Sequence, residues 1–341
     1  MIVKVVDLFC GAGGLTYGLQ MAGLDVVAGI DIASECRFAY ESNNNALFIE
    51  KDISSVTKEE LLALFGNADV KILAGCAPCQ PFSTYTQGKD KKNDKKWPLL
   101  YEFERLIKEV SPDIVTMENV PDVTKHQVYN DFFNSLKKLG YHIWAKKVEC
   151  TDYGIPQKRA RHVLLASKKG EIKLVDKKNS NIKTVRETIG NLPPLEAGGA
   201  DPNDPLHRAS KLNDINKKRI IHSIPGGTWK DWPEELVAAC HLKKSGKGYA
   251  SVYGRMSWDK PSPTITTLCY GFGNGRFGHP EQNRAISLRE AALLQTFPLD
   301  YNFCEKKSKI TMRDIGKMIG NAVPVKLGKI IGDSISSHLM Y

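Results

Sequence analysis

Residues 2–19 read IVKVVDLFCGAGGLTYGL, and the fold turns on how that stretch is parsed. The apolar run at residues 2–9 is interrupted only by Lys4 and Asp7, so it reads as a buried strand. Gly11, Gly13 and Gly14 then break the run, and apolar helical spacing follows to Ala22. A strand, a glycine-rich turn and a helix form the opening unit of an α/β domain.

Working outward, the same alternation continues. Strands are expected at residues 26–31, 70–77, 113–120, 142–149 and 161–167. Helices are expected at 32–42, 99–110 and 131–139, the second of these from the spacing of Leu99, Phe103, Leu106, Ile107 and Val110. Pro78, Pro121 and Gly140 punctuate the elements. The pattern predicts an α/β fold with a mostly parallel, Rossmann-like sheet covered by helices on both faces. Its character changes after Lys168. Residues 169–282 are rich in Lys, Gly, Pro and Asn and have little periodicity, so a smaller, irregular, mainly-β second domain is expected there. Trp229, Trp232, Tyr249, Tyr253 and Trp258 argue against disorder in it. Ser287-Leu288-Arg289-Glu290 is a capping box ahead of an apolar helix, and a last helix is expected at 325–338. The expected first domain is thus residues 1–168, completed by 283–341.

Composition narrows the class. Of 341 residues, 42% are hydrophobic and 25% charged, which is ordinary for a globular chain. No stretch has the apolar length of a membrane span, and the N-terminus reads as a strand and not a signal peptide, so a cytoplasmic location is expected. Eight cysteines in such a chain read as free thiols. A net charge of +10 favours a polyanionic partner without proving one.

Several residues carry candidate chemistry. The turn at 11–14 lets backbone approach a ligand, although it is neither a GxGxxG fingerprint nor a P-loop, and an empty tight turn is its plain alternative. Asp31 ends the second strand, where an acidic side chain can hold a ribose diol. Asp52 alone reads more simply as a cap or a solvated loop residue. Gly75-Cys76-Ala77-Pro78-Cys79-Gln80-Pro81-Phe82-Ser83 places Cys79 just beyond the carboxyl end of a strand, with prolines fixing the backbone on either side. Zinc and redox readings of Cys76-x-x-Cys79 lack a second ligand pair or a thioredoxin-like setting. Glu118 holds the matching edge of the next strand, where a carboxylate can hold or protonate a ring nitrogen, or simply face solvent. Arg159 and Arg161, two apart, are expected on one face of a strand, to grip a carbonyl oxygen or phosphate or to form a basic surface. Residues 83–97, with five lysines against two aspartates, read as a solvated loop.

Together and in order, DLFCGAGG (7–14), Asp31, Asp52-Ile53, GCAPCQPFS (75–83), MENV (117–120), QKRAR (157–161), SLREAALLQTFP (287–298) and IGNAVP (319–324) resemble the motif set of the bacterial C5-cytosine-specific DNA methyltransferases. The resemblance covers both ends of the chain and leaves the middle unmatched. It departs from the usual pattern at Cys76, Ala77 and Ala160. It implies S-adenosylmethionine as cofactor, with S-adenosylhomocysteine as product, and double-stranded DNA as partner. Cys79 would be the covalent nucleophile on a flipped-out cytosine, with Glu118, Arg161 and nearby Arg159 completing the catalytic set. Phe9, Gly11, Gly13, Gly14, Leu15, Asp31, Ile32, Asp52, Ile53, Pro78, Leu99, Asn321 and Val323 would line the cofactor. No metal ligand is implied. Residues 169–282 would read the DNA target, with 253–276 as their core, and 83–97 would be a mobile loop over the DNA. A monomer is expected, with a cognate restriction endonuclease as a functional and not a physical partner. The alternatives are a tRNA cytosine-C5 methyltransferase and a catalytically silent DNA-binding paralogue.

Overall fold

The computed structural model describes residues 1–78, 98–176, 181–244, 246, 248–305 and 311–340. The chain forms two compact units: Met1–Tyr153 with Ala160–Asn179 and Ala322–Tyr341, and Gly154–Arg159 with Ser180–Asn321.

The first unit runs β1 (Val3–Leu8), α1 (Gly14–Met21), β2 (Asp25–Asp31), α2 (Arg37–Asn43), β3 (Leu47–Glu50), α3 (Lys58–Phe65), β4 (Val70–Gly75), α4 (Pro98–Val110), β5 (Ile114–Asn119), α5 (Gln127–Lys138), β6 (His142–Glu149) and β7 (Ala160–Ser167). All seven strands join one sheet in the order β3-β2-β1-β4-β5-β7-β6. Neighbours from β3 to β5 are parallel, and β7 runs antiparallel to both β5 and β6. The short link between β6 and β7 cannot house a crossover helix, so the pair must reverse direction. β4 and β2 extend from β1 in opposite directions, which places the topological switch at the carboxyl end of β1. Leu8 pairs with both Ile30 and Gly75, and Gly75 with Met117, so the ends of four parallel strands share one edge. Antiparallel β7 starts at that same edge, where His162 faces Asn119.

The core beneath one face is built from Leu8, Leu73, Phe103, Leu106, Met117 and Phe132, all fully buried. The final helix returns to the first unit: α11 (Val325–Leu339) packs along α1. Small residues make this possible. A Cβ on Gly18 would come within 2.5 Å of the Lys329 amide nitrogen, and one on Gly332 within 2.6 Å of the Ala22 methyl.

The second unit is irregular as expected, but its described residues contain isolated bridges instead of strands, with short helices between them. These are α6 (Val185–Ile189), α7 (Asp214–His222), α8 (Ala239–Leu242), α9 (Leu288–Leu294) and α10 (Met312–Asn321). The mainly-β expectation therefore gives way to a loop-rich body. Its loops are held by buried arginines. Arg255 donates to the carbonyls of Ile220, His279 and Gln282. Trp229, Trp232, Leu236 and Phe272 form a small apolar core, with Tyr253 packed against it. The unit boundary also differs from the expected one. Residues 283–321 group with the second unit, because α9 packs on α6 and α10, and the Gln295 side chain binds both Gln157 and the Ile319 carbonyl.

Candidate active site

The turn after β1 is backbone-strained in a directed way. Phe9 has φ of 59°, Gly11 of 51° and Gly13 of 88°, so the chain passes through the left-handed region three times in five residues. The Phe9 amide donates to the Ile30 carbonyl at 2.8 Å, which ties the turn to the end of β2. Asp31 completes the tie. Its carboxylate accepts the Gly11 amide at 2.9 Å and the Ala33 amide at 2.9 Å. One acidic side chain thus fixes both turns at the switch point and still has lone pairs to spare.

The neighbouring residues fall into distinct roles. Gly13, Gly14 and Leu15 are buried at the start of α1. Ile32 is 66% exposed, an apolar side chain left uncovered beside Asp31. Ile53 is buried, and Phe9 and Leu99 pack partly buried against the same core. Asp52 caps the turn Ile53–Ser55, accepting from the Ser54 amide and hydroxyl, and those bonds hold its carboxyl below the usual range. Pro78 is exposed, and Val323 is buried in the first unit. Asn321 ends α10 and belongs to the second unit.

Beneath the turn lies a group that sequence reading missed. Asp7 is 1% exposed; its Oδ2 accepts the Thr16 hydroxyl at 2.7 Å, and Thr16 also meets the Tyr40 hydroxyl at 3.1 Å. Asp7 Oδ1 has no hydrogen-bond partner among the described residues. Burial raises its carboxyl to about 7, against the Thr16 hydrogen bond that lowers it and with the nearby Asp31 charge adding to the rise. The folded protein therefore holds the Asp7 proton more tightly than the unfolded chain, and stability present below about pH 4 declines as pH rises towards 7. An Asp7→Asn variant is expected to escape that decline. Its melting temperature relative to wild type should rise between pH 4.5 and about pH 7 and level off above that; a difference that stays flat from pH 4.5 to pH 7 would show that Asp7 does not titrate there.

The second half of the site sits at the ends of β4 and β5. Glu118 is 3% exposed. Cys76 Sγ donates to its Oε2 at 2.9 Å, and Arg161 Nε stands 2.7 Å from its Oε1. The arginine contact is an ion pair without an aligned N–H, so Oε1 takes no directed hydrogen bond from the described residues. Asn119 braces the same edge, donating to the Ala77 carbonyl at 3.2 Å and accepting the Val120 amide at 2.8 Å. It locks the backbone leading to Pro78. Cys79 and residues 83–97 lie outside the described residues.

Of the two arginines, only Arg161 lies within the strand. Alternation applies only inside a strand, and β7 begins at Ala160. Arg161 lies on β7 beside Glu118. Arg159 precedes the strand and belongs to the second unit, where it is 3% exposed and donates to the carbonyls of Ile265 at 3.0 Å and Gly320 at 3.3 Å. Gln157 shares this task, donating to Gln295 Oε1 at 2.8 Å and accepting the Ile265 amide at 2.9 Å. Its amide signals were visible in the QKRAR run, but their partners are more than a hundred residues away.

Comparison with known proteins agrees with this geometry. Residues 3–337 match the family model of the C-5 cytosine-specific DNA methylases. The chain is 56% identical to the Type II methylase M.HgiDII of Herpetosiphon aurantiacus over 99% of its own length and 96% of that protein. It is 33% identical to the Type II methyltransferase M.PspPI of Psychrobacter sp. (strain TA137), covering 97% of this chain and 78% of that one. Among solved structures, the Entamoeba histolytica methyltransferase EhMeth shares the fold with a TM-score of 0.68 at 18% identity, over 99% of each chain. A family match over nearly the whole length, on top of a sheet edge that gathers the glycine turn, Asp31 and Glu118, places this chain in the C-5 cytosine-specific DNA methylase family.

Proposed function

We infer that this chain transfers a methyl group from S-adenosylmethionine to C5 of a cytosine flipped out of double-stranded DNA. The observation that carries the reading is the buried Glu118 carboxylate at the sheet edge, braced on both oxygens yet with Oε1 open to a directed donor. A neutral cytosine ring offers that donor in its exocyclic amine, while N3, itself an acceptor, is held only through a proton on Glu118.

The turn at Phe9–Gly14 fits the cofactor. Left-handed backbone brings amides close to a ligand, Asp31 stands where a ribose diol would bind, and exposed Ile32 supplies an apolar face for adenine. Gly11, Gly13, Gly14, Leu15, Asp52, Ile53, Pro78, Leu99, Asn321 and Val323 are proposed to complete its site. The cofactor supplies an electrophilic methyl group on a sulfonium. The chain's own residues do the rest. Cys79 thiolate adds to C6 and forms a carbon–sulfur bond; Glu118 holds N3 and the amine as charge builds on the ring, and Arg161 contacts the base O2. C5 thereby becomes nucleophilic and takes the methyl. Loss of the C5 proton to a base restores the ring and expels Cys79. Only a few per cent of a free thiol is ionised at neutral pH, so local activation of Cys79 is part of the proposal. Extruding the base costs a few kcal/mol, which binding to DNA must offset. Arg159 acts in this scheme by holding the second unit together and not by touching the base.

The second unit, of well over a hundred residues, is proposed as the target-reading body, which favours duplex DNA over tRNA as substrate. A monomer serves this reaction, and its work is in the cytoplasm on nucleoid DNA. A restriction endonuclease of the same specificity would be its functional partner. Tritiated methyl transfer to DNA and to tRNA in parallel tests the reading: label is expected in duplex DNA, and label only in tRNA would overturn it.

A cofactor prediction follows from Asp31. A hydrogen bond to a charged group contributes about 1.5–3 kcal/mol, so Asp31→Ala is expected to weaken S-adenosylmethionine binding by roughly 10- to 100-fold in calorimetric titration. Unchanged affinity would remove Asp31 from the site.

A further inference from the structure

We propose that Cys76 is a positioning residue for Glu118: its thiol holds the carboxylate in the orientation that presents Oε1 to the cytosine. This rests on the reading of function above. Cys76 departs from the residue types usual at its place in the motif, and its Sγ lies 2.9 Å from Glu118 Oε2. The S–H donates and the carboxylate oxygen accepts. The contact is not incidental to a loose loop. The Cys76 amide donates to the Leu8 carbonyl at 3.3 Å, and Asn119 holds the next carbonyl, that of Ala77.

The physical role follows from what Arg161 would otherwise do. A guanidinium is a planar fork that pairs best with both oxygens of a carboxylate. Here it reaches only Oε1, through Nε, while Nη1 is committed to the Ala160 carbonyl at 2.7 Å. Without the thiol, the Glu118 carboxylate is free to turn about its terminal torsion towards the fork and engage both oxygens. The substrate would then have to displace a two-point ion pair, in place of the single Nε–Oε1 contact seen here, before Glu118 could meet the base. Cys76 prevents that turn by holding Oε2 on the other side.

The test compares Cys76→Ala and Cys76→Ser in full-length protein, with duplex DNA carrying the methylation site identified for the wild type. Cys76→Ala is expected to lower kcat about ten-fold with KM for DNA within about two-fold. Cys76→Ser, which keeps a donor, should recover most of the lost kcat. Infrared difference spectra of wild type against Cys76→Ser should show an S–H stretching band at the low frequency of a strong hydrogen bond, and Glu118→Gln should move that band upward. A Cys76→Ala variant as fast as wild type, a Cys76→Ser variant as slow as Cys76→Ala, or an S–H band indifferent to Glu118→Gln would each overturn the assignment. A wild-type chain inert on DNA would instead overturn the reading of function on which it stands.

Discussion

Replacing Cys79 by serine is expected to reduce methyl transfer at least a thousand-fold while leaving S-adenosylmethionine and DNA binding within a few-fold of wild type. Serine keeps the shape of the side chain but not its ionisation. An alcohol has almost no alkoxide at neutral pH, and without a base beside it the oxygen cannot add to C6. Loss of a nucleophile typically removes the whole covalent route and not a fraction of it. Glu118 and Arg161 would still receive the flipped base, so binding should persist. Tritium incorporation measured beside filter binding separates the two effects. Residual turnover within a hundred-fold of wild type would mean that the thiol at 79 is not the nucleophile.

The second large effect concerns stability. Arg284 is fully buried and pairs with both oxygens of Glu290, each at 2.7 Å, and Glu290 is 1% exposed. Glu290 is also the third residue of the helix that Ser287 caps, and its Oε2 accepts the Ser287 amide at 2.6 Å. Desolvation opposes the charge on Glu290, but the Arg284 hydrogen bonds and charge outweigh it and hold the carboxyl below its usual range. Arg284→Met removes one partner and leaves a carboxylate buried without its counter-charge. A loss of about 3–5 kcal/mol is expected in urea unfolding. Adding Glu290→Leu should restore part of that loss, because a buried pair replaced by apolar groups of similar volume is often close to neutral. A single variant that unfolds like wild type would show that water or another cation reaches Glu290 when Arg284 is gone.

Much of the first unit was legible in the sequence, for a physical reason. Strands buried on both faces have no polar alternation, so the runs at β1, β4 and β5 stand out as apolar blocks, and prolines or glycines mark their ends. Once β1 and the glycine turn were read, the carboxyl-edge rule singled out Asp31 and Glu118 as candidates, and Cys79, which lies outside the described residues. The helix α3 was missed although Thr57 and Glu60 form a capping box, because it is short and its apolar face is narrow. The direction of β7 was not visible in hydropathy; only the length of the preceding link carried it.

The second unit was less legible because its order comes from long-range polar contacts. Arg255 ties the last turn of α7, at Ile220, to the carbonyls of His279 and Gln282 about sixty residues on, and no local pattern announces that. The same cause misplaced Arg159. Its spacing from Arg161 suggested a shared face, while its partners Ile265 and Gly320 are 106 and 161 residues distant. Asp7 escaped notice because a single acidic residue in an apolar strand has no sequence signal for what lies behind it. Cys76 was weighed as half of a zinc or redox pair and as a departure from the family pattern, but its bond to Glu118 spans 42 residues.

The central claim is covalent attack by this chain on a cytosine ring in DNA. Duplex DNA carrying 5-fluorocytosine at the methylated position offers the most direct measurement, since no C5 proton can leave and the adduct cannot resolve. With S-adenosylmethionine present, a denaturation-resistant protein–DNA species is expected, and mass spectrometry should place the cross-link on the peptide that contains Cys79. An enzyme that methylates normal DNA but forms no such species, or that is joined through a different residue, would contradict the account.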